Sequence, residues 1–155
     1  RAIAAQILRH RSFSLQEFSQ RYAEVTEMEP VQLRNQAVSN RQSSVDPIDE
    51  NREIMVDIGC GVDGTIRDLI DGHIEFSQAL YKALIKEGVA KECARFVLPL
   101  TTQTTIYMKG SIRSWIHYLE IRCNSHSQLE HQQVALAILE VFKSNFPNIS
   151  NALCL

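Results

Sequence analysis

Residues 52–66 read REIMVDIGCGVDGTI, and the fold class turns on them. Gly59, Gly61 and Gly64 spell G-x-G-x-x-G after a strand-like run and before a helical pattern. That is the setting required by a dinucleotide-binding βαβ unit or a methyltransferase cofactor loop. Such a unit needs a second parallel strand, ended by an acidic residue about 20 residues further on. Here a long helical pattern follows, then another helical turn, and no such strand. The glycines are assigned to a turn, and the chain to a helix-dominated α+β class with a small antiparallel sheet. The cofactor-loop alternative would make the chain a methyltransferase with affinity for a sulfonium cofactor.

Toward the C-terminus, a long amphipathic helix is predicted from about Gly64 to Glu87, with Gly88 as its stop. Ile66, Leu69, Ile70, Ile74, Phe76, Leu80 and Leu84 form its expected buried set. AKECAR, 90–95, makes a further helical turn that Pro99 ends. The β-branched run TTQTTIYMK, 101–109, predicts a strand. Ile112, Trp115, Ile116, Leu119 and Cys123 predict a helix over 111–123. A last helix, near 127–143, is expected to bury Val134, Leu136, Ala137, Leu139 and Phe142. Toward the N-terminus, residues 24–52 are polar and read as a long irregular connection. Ser14 and Glu17 have capping-box spacing, with a turn or short helix to Tyr22. Ile3, Ile7 and Leu8 predict a helix over 1–9.

At 155 residues the chain is expected to be one domain, 1–155, able to bury a core without staples. The opening RAIAAQIL, already inside a helical pattern and without Met, reads as part of a longer protein. A net charge of −2 gives no global reason to hold nucleic acid, so any anion must be recognised locally. Arginine outnumbers lysine by 11 to 5, a bias that suits two-pronged recognition of phosphate or carbonyl groups. Cys60, Cys93, Cys123 and Cys154 have no zinc-ligand spacing and read as reduced thiols of a cytoplasmic protein. No apolar run is long enough to span a membrane. His10, His73, His117, His126 and His131 accompany neither a nucleophile elbow nor a zinc motif, so no metal site is expected.

The arginines recur in dense clusters. One holds Gln6, Arg9, His10, Arg11, Glu17, Ser19, Arg21 and Tyr22, a second is Arg95 in ECARFVLP, and a third holds Arg113, His117 and Arg122. Arg113 and His117 are neighbours on one helix face, and Arg122, two and a half turns beyond Arg113, points the other way. For any one arginine, a solvated ion pair with one of the 18 acidic residues is the simpler reading.

Together the clusters resemble the flavin-dependent thymidylate synthases. Arg9-His10-Arg11, seven residues and then Ser19 is similar to their RHR-x7-S signature. LRNQAVSNRQSS, ECARFVLP and RSWIHYLEIRCNSHSQLEHQ resemble further segments in the family's order, covering residue 1 to about 140. The resemblance implies that family's fold without its N-terminal segment, and reductive methylation of dUMP to dTMP for nucleotide biosynthesis. Methylenetetrahydrofolate would supply the carbon, and FAD reduced by NADPH the hydride. It implies Arg122 as the catalytic group, stabilising the N3-ionised uracil so that C5 becomes nucleophilic. Gln6, Arg9, Glu17, Ser19, Gln20, Arg21, Arg95 and Arg122 would bind dUMP. Arg9, His10, Arg11, Glu17, Ser111, Arg113, His117 and His126 would hold FAD. Ser111, His117 and Gln16 stand where many members carry Asn. A homotetramer with active sites shared between subunits is implied. The alternative from another class is a nucleotide-binding homologue without turnover.

Overall fold

A computed structural model describes residues 1–24, 27–40 and 43–154. Its elements, in chain order, are α1 (Ala2–Ile7), β1 (Ser14–Glu17), β2 (Arg34–Gln36), β3 (Ser44–Pro47), β4 (Glu53–Asp57) and β5 (Gly61–Thr65). Then come α2 (Ile66–Lys86), α3 (Lys91–Ala94), a 3₁₀ turn (Arg95–Val97), β6 (Ile106–Lys109), α4 (Ile112–Arg122), α5 (Leu129–Asn145) and α6 (Pro147–Leu153). The strands pair two by two, β1 with β6, β2 with β3 and β4 with β5. The class is α+β and helix-rich, as expected.

The glycine fingerprint belongs to a hairpin, which removes the cofactor-loop alternative. β4 and β5 are antiparallel, with Glu53 opposite Thr65 and Asp57 opposite Gly61. Gly59 turns the hairpin at φ 93°, a left-handed conformation that a Cβ would strain, and its N–H donates to Asp57 Oδ1 at 2.9 Å. Gly61 and Gly64 are strand residues. A phosphate loop needs its glycines between a strand and the positive end of a helix, whereas these lie around and beyond a strand reversal.

Two compact units emerge. The first comprises Arg1–Ala2, Glu17–Asn35 and Val45–Thr105. Its long helix α2 starts at Thr65, whose hydroxyl accepts from Asp68 N–H at 3.0 Å, satisfying one of the free donors of the first turn. Arg67 anchors that turn, donating to Glu50 Oε2 and, at 2.8 Å, to Val31 O. Glu50 Oε1 accepts Leu33 N–H at 3.0 Å. The Leu33 N–H first, and then the Arg67 guanidinium, hold the Glu50 carboxyl below its usual range. α2 buries Ile66, Ser77 and Tyr81, with Leu69, Ile70, Ile74, Leu80 and Leu84 half-buried beside them. Phe76 is 67% exposed, contrary to expectation, because it lies one residue, or 100° of helix, from Ser77 on the inward stripe.

The second unit comprises Ile3–Gln16, Gln36–Ser44 and Ile106–Leu155. Phe13, Tyr118, Leu119, Ala135 and Phe142 form its core, with Leu15, Met108, Trp115, Ile116 and Ile138 packed against them. Phe13 meets Trp115 edge to face at 4.7 Å between centroids, a favoured aromatic geometry. Gly110 makes that packing possible, since a Cβ there would lie 2.6 Å from Phe13 Cδ1.

Several local expectations fail for physical reasons. Ser14–Glu17 is β1, not a helix start, because Leu15 and Glu17 turn inward with the two-residue period of a strand. Of the run 101–109 only Ile106–Lys109 joins a ladder, while Thr102 forms an isolated bridge with Met28. The connection 24–52 contains β2 and β3, and its residues 25, 26, 41 and 42 lie outside the described part. α5 buries His131, Ala135 and Phe142, whereas Val134, Leu136 and Ala137 are exposed. α6 was not foreseen, although Pro147 opens it at the position that tolerates proline best.

Candidate functional site

In the second unit, α4 ends on Arg122 and so aims its side chain from the last turn of a rigid helix. Arg122 Nε–H donates to His10 Nε2 at 3.0 Å, which makes that nitrogen an unprotonated acceptor. Burial, then the charges of Arg122 and His117, lower the His10 pKa. Arg122 is half-buried and has no carboxylate partner among the described residues. The result is a positive charge set among neutral polar groups.

Around it stand Tyr118, whose ring centroid is 5.0 Å from that of His10, and His131 at 6.2 Å. Both are fully buried. Desolvation pushes the Tyr118 phenol up to about 12, and the His131 imidazole down to about 4, with Arg122 adding to the histidine shift. Gln6, on α1, reaches this group through its amide oxygen, 3.2 Å from His131 Nδ1. Arg113 and His117 are exposed on α4, and Ser111 caps that helix by accepting Ser114 N–H at 3.2 Å. His126 is exposed just beyond α4, its backbone N–H donating to Asn124 Oδ1.

Ser111 also borders a cleft of about 430 Å³, lined with it by Arg11, Ser12, Phe13, Ser14, Lys109 and Gly110. Among the described residues two cations and three hydroxyls face it, and no carboxylate does. Arg9, Arg11, Lys109 and Arg113 make no ion pair among the described residues. Such a surface attracts an anion carrying several acceptor oxygens.

The first unit gathers a different group. Arg21 donates to Glu92 Oε2 through Nε at 3.1 Å and lies 2.9 Å from it through Nη2, while Arg95 Nε donates to Glu92 O at 3.2 Å. Ser19 Oγ accepts Arg21 N–H at 3.3 Å. Gln20 is buried, and its Nε2 finds no acceptor among the described residues. A buried donor without a partner is destabilising by about 1–3 kcal/mol, and a ligand oxygen would relieve it. Glu17 pairs with Arg1 at 2.6 Å and accepts from Thr104 Oγ1 at 3.0 Å.

Gln6, Arg9, His10, Arg11, Ser111, Arg113, His117, Arg122 and His126 thus fall in one unit, and Glu17, Ser19, Gln20, Arg21 and Arg95 in the other. Sequence reading missed Glu92, although Glu92 and Arg95 have i,i+3 spacing. It also missed Lys109, Tyr118 and His131. His131 left one signal, since it shares a helical stripe with Ala135, Ile138 and Phe142.

The model of the thymidylate synthase complementing protein family matches residues 1–148. The flavin-dependent thymidylate synthase of Synechocystis sp. is 47% identical over 153 residues, covering 99% of this chain and 66% of the relative. A probable flavin-dependent thymidylate synthase of Paramecium bursaria Chlorella virus 1 is 47% identical over 154 residues, covering 99% and 67%. The enzyme of that name from Thermosipho africanus is 36% identical over 147 residues, covering 94% and 60%. The chain therefore spans about two thirds of the length of the curated relatives it matches. With the match running through both groups of site residues, the chain belongs to the thymidylate synthase complementing protein family.

Proposed function

We propose that the full-length protein is a flavin-dependent thymidylate synthase, a methyltransferase-class enzyme converting dUMP to dTMP. Methylenetetrahydrofolate would give the one-carbon unit, the C5 proton of uracil would leave, and NADPH would be the ultimate hydride source. The relatives' names support the activity and the flavin.

The observation that carries the reading is Arg122. A half-buried guanidinium held by a neutral imidazole, with no carboxylate neutralising it among the described residues, is preorganised to stabilise a ligand anion. Uracil ionised at N3 is such an anion, and its charge spreads to C5, where the new bond forms. Ser19, Gln20, Arg21 and Arg95 would hold the nucleotide phosphate, with Gln6, Arg9 and Glu17 orienting base and sugar. When bound, FAD would supply the redox chemistry. The cationic, carboxylate-free cleft suits its diphosphate. Arg9, His10, Arg11, Glu17, Ser111, Arg113, His117 and His126 are the residues assigned to it. The enzyme would act in the cytoplasm as a homotetramer whose sites combine residues of several subunits.

The test is the visible spectrum of the purified full-length protein before and after adding dUMP. A flavin spectrum perturbed by dUMP supports the reading. A colourless protein that stays colourless with added FAD would leave a nucleotide-binding homologue without turnover.

A further inference from the structure

The pair Tyr118–His131 has no part in the roles assigned above, yet it touches one of the assigned residues. Tyr118 Oη lies 3.1 Å from His131 Nε2, and His131 Nδ1 lies 3.2 Å from Gln6 Oε1. Beyond Gln6 the chain of bonds continues, with Gln6 Nε2 donating to Gln128 Oε1 at 2.5 Å and Gln128 Nε2 to Glu130 Oε2 at 2.9 Å.

The last member sets the direction of every proton. Its link runs through the exposed Gln128, where water competes, and the buried His131 is the end that can hold Gln6 in place. A carboxylate only accepts, so Gln128 must turn its nitrogen to Glu130 and its oxygen to Gln6. Gln6 must then give its nitrogen to Gln128 and its oxygen to His131. His131 must therefore carry its proton on Nδ1, leaving the Nε2 lone pair to accept the Tyr118 hydroxyl. The neutral imidazole this requires is the form favoured by burial and by the nearby Arg122 charge.

We propose that His131 is a positioning residue, whose Nδ1–H locks the Gln6 amide in one of its two orientations and so fixes the donor–acceptor pattern presented to the pyrimidine. The proposal rests on the reading that Gln6 faces the base of dUMP. An amide free to turn over offers a donor or an acceptor at the same place. Uracil carries an acceptor at position 4, whether or not N3 is ionised, whereas cytosine carries a donor there. A locked amide therefore selects between the two, because the wrong base leaves site groups unpaired.

The experiment uses the full-length protein with His131→Leu, His131→Asn and Tyr118→Phe. It compares dissociation constants for dUMP and dCMP, and it reads the ¹⁵N shifts of the His131 ring. The expected ratio of affinities falls at least tenfold in His131→Leu. In His131→Asn, whose amide nitrogen replaces Nδ1, it stays within about threefold of the parent, a rescue that a merely space-filling role would not give. The parent should show a proton on Nδ1 and a bare Nε2, and Tyr118→Phe, which removes only the donor to Nε2, should keep that tautomer because Gln6 Oε1 still needs a donor. An unchanged ratio in folded His131→Leu, or a parent imidazole protonated on Nε2, would overturn the proposal. Should His131→Leu not fold, Tyr118→Phe decides, and a proton moved to Nε2 there with an unaltered ratio would count against the lock. A parent that binds no dUMP would refute the proposed function and the base selection with it, while the nitrogen shifts still judge the proton order separately.

Discussion

Arg122 sits where one charge controls several neighbours. It donates to His10, and it lowers the pKa of both His10 and His131. Arg122→Ala should therefore do two things at once. Under the proposed function it lowers kcat by about 10²–10³-fold, the usual loss when one preorganised donor to a developing anion is removed, and leaves the flavin bound. It also raises the pKa of His10, which NMR titration reads without any substrate. Normal turnover would refute the catalytic role, and an unmoved His10 would refute the contact. His131 gives a prediction about stability. Its folded pKa is about 4 against an ordinary 6.5, so between those pH values the unfolded chain binds more protons. Stability contributed by this group is full above about pH 6.5 and falls as pH drops toward 4, by up to about 3 kcal/mol. His10, depressed in the same direction, adds to the slope. Denaturant midpoints at pH 7.5 and pH 5 should differ less in His131→Leu than in the parent, and equal differences would contradict the buried neutral imidazole.

At the scale of elements, the turn between β6 and α4 carries the tightest constraint. Gly110 lies against Phe13, and an added Cβ would meet Cδ1 at 2.6 Å and Cε1 at 2.7 Å. Phe13 is a core ring flanked by Trp115 and Tyr118, so it has little room to retreat. Gly110→Ala should cost roughly 1–3 kcal/mol, the range for overpacking a core. Thermal melting should show it as a drop of several degrees, and an unchanged Tm would mean that the ring gives way freely. Elements differ in how openly the sequence declares them. α2 and α4 were legible because their apolar residues recur at the helical period and their caps are explicit, Thr65 and Ser111. α5 was legible as a helix, but its inward face was not. The buried stripe begins at His131, and a polar residue counts against burial until a buried partner such as Tyr118 is known. Val134, Leu136 and Ala137, apolar but spread around the helix, then read as the better core residues. β1 was hidden for another reason, since Ser14 and Glu17 satisfy a capping spacing and a strand alternation equally well. The arginine motifs were legible as motifs, but their division between two units was not, because it depends on which strands and helices cluster together.

The net charge of −2 conceals an uneven distribution that bears on the whole molecule. The second unit holds seven basic and three acidic residues, and the first nine and fifteen. Positive charge is thus local, concentrated in a unit of formal charge +4 within an acidic chain. The same unit leaves Val134, Leu136 and Val141 exposed on α5, with Ile112 and Ile121 exposed on α4. In the first unit Ile54, Met55, Val56 and Val62 are exposed on the β4–β5 hairpin. Isolated apolar residues on a surface need no explanation, but several on one helix or one hairpin suit contact with another protein surface. The proposed homotetramer would cover them. Val141 is 62% exposed on α5, so Val141→Glu should change the monomer's fold little, yet place a charge where a subunit contact would desolvate it. Sedimentation of the full-length parent should give a tetramer, and the variant a smaller species with unchanged far-ultraviolet circular dichroism. Because the proposed sites combine residues of several subunits, turnover should fall with the assembly and recover at protein concentrations high enough to restore it. A parent that sediments as a monomer with full activity would exclude shared sites, and a tetrameric variant would place the interface away from this face of α5.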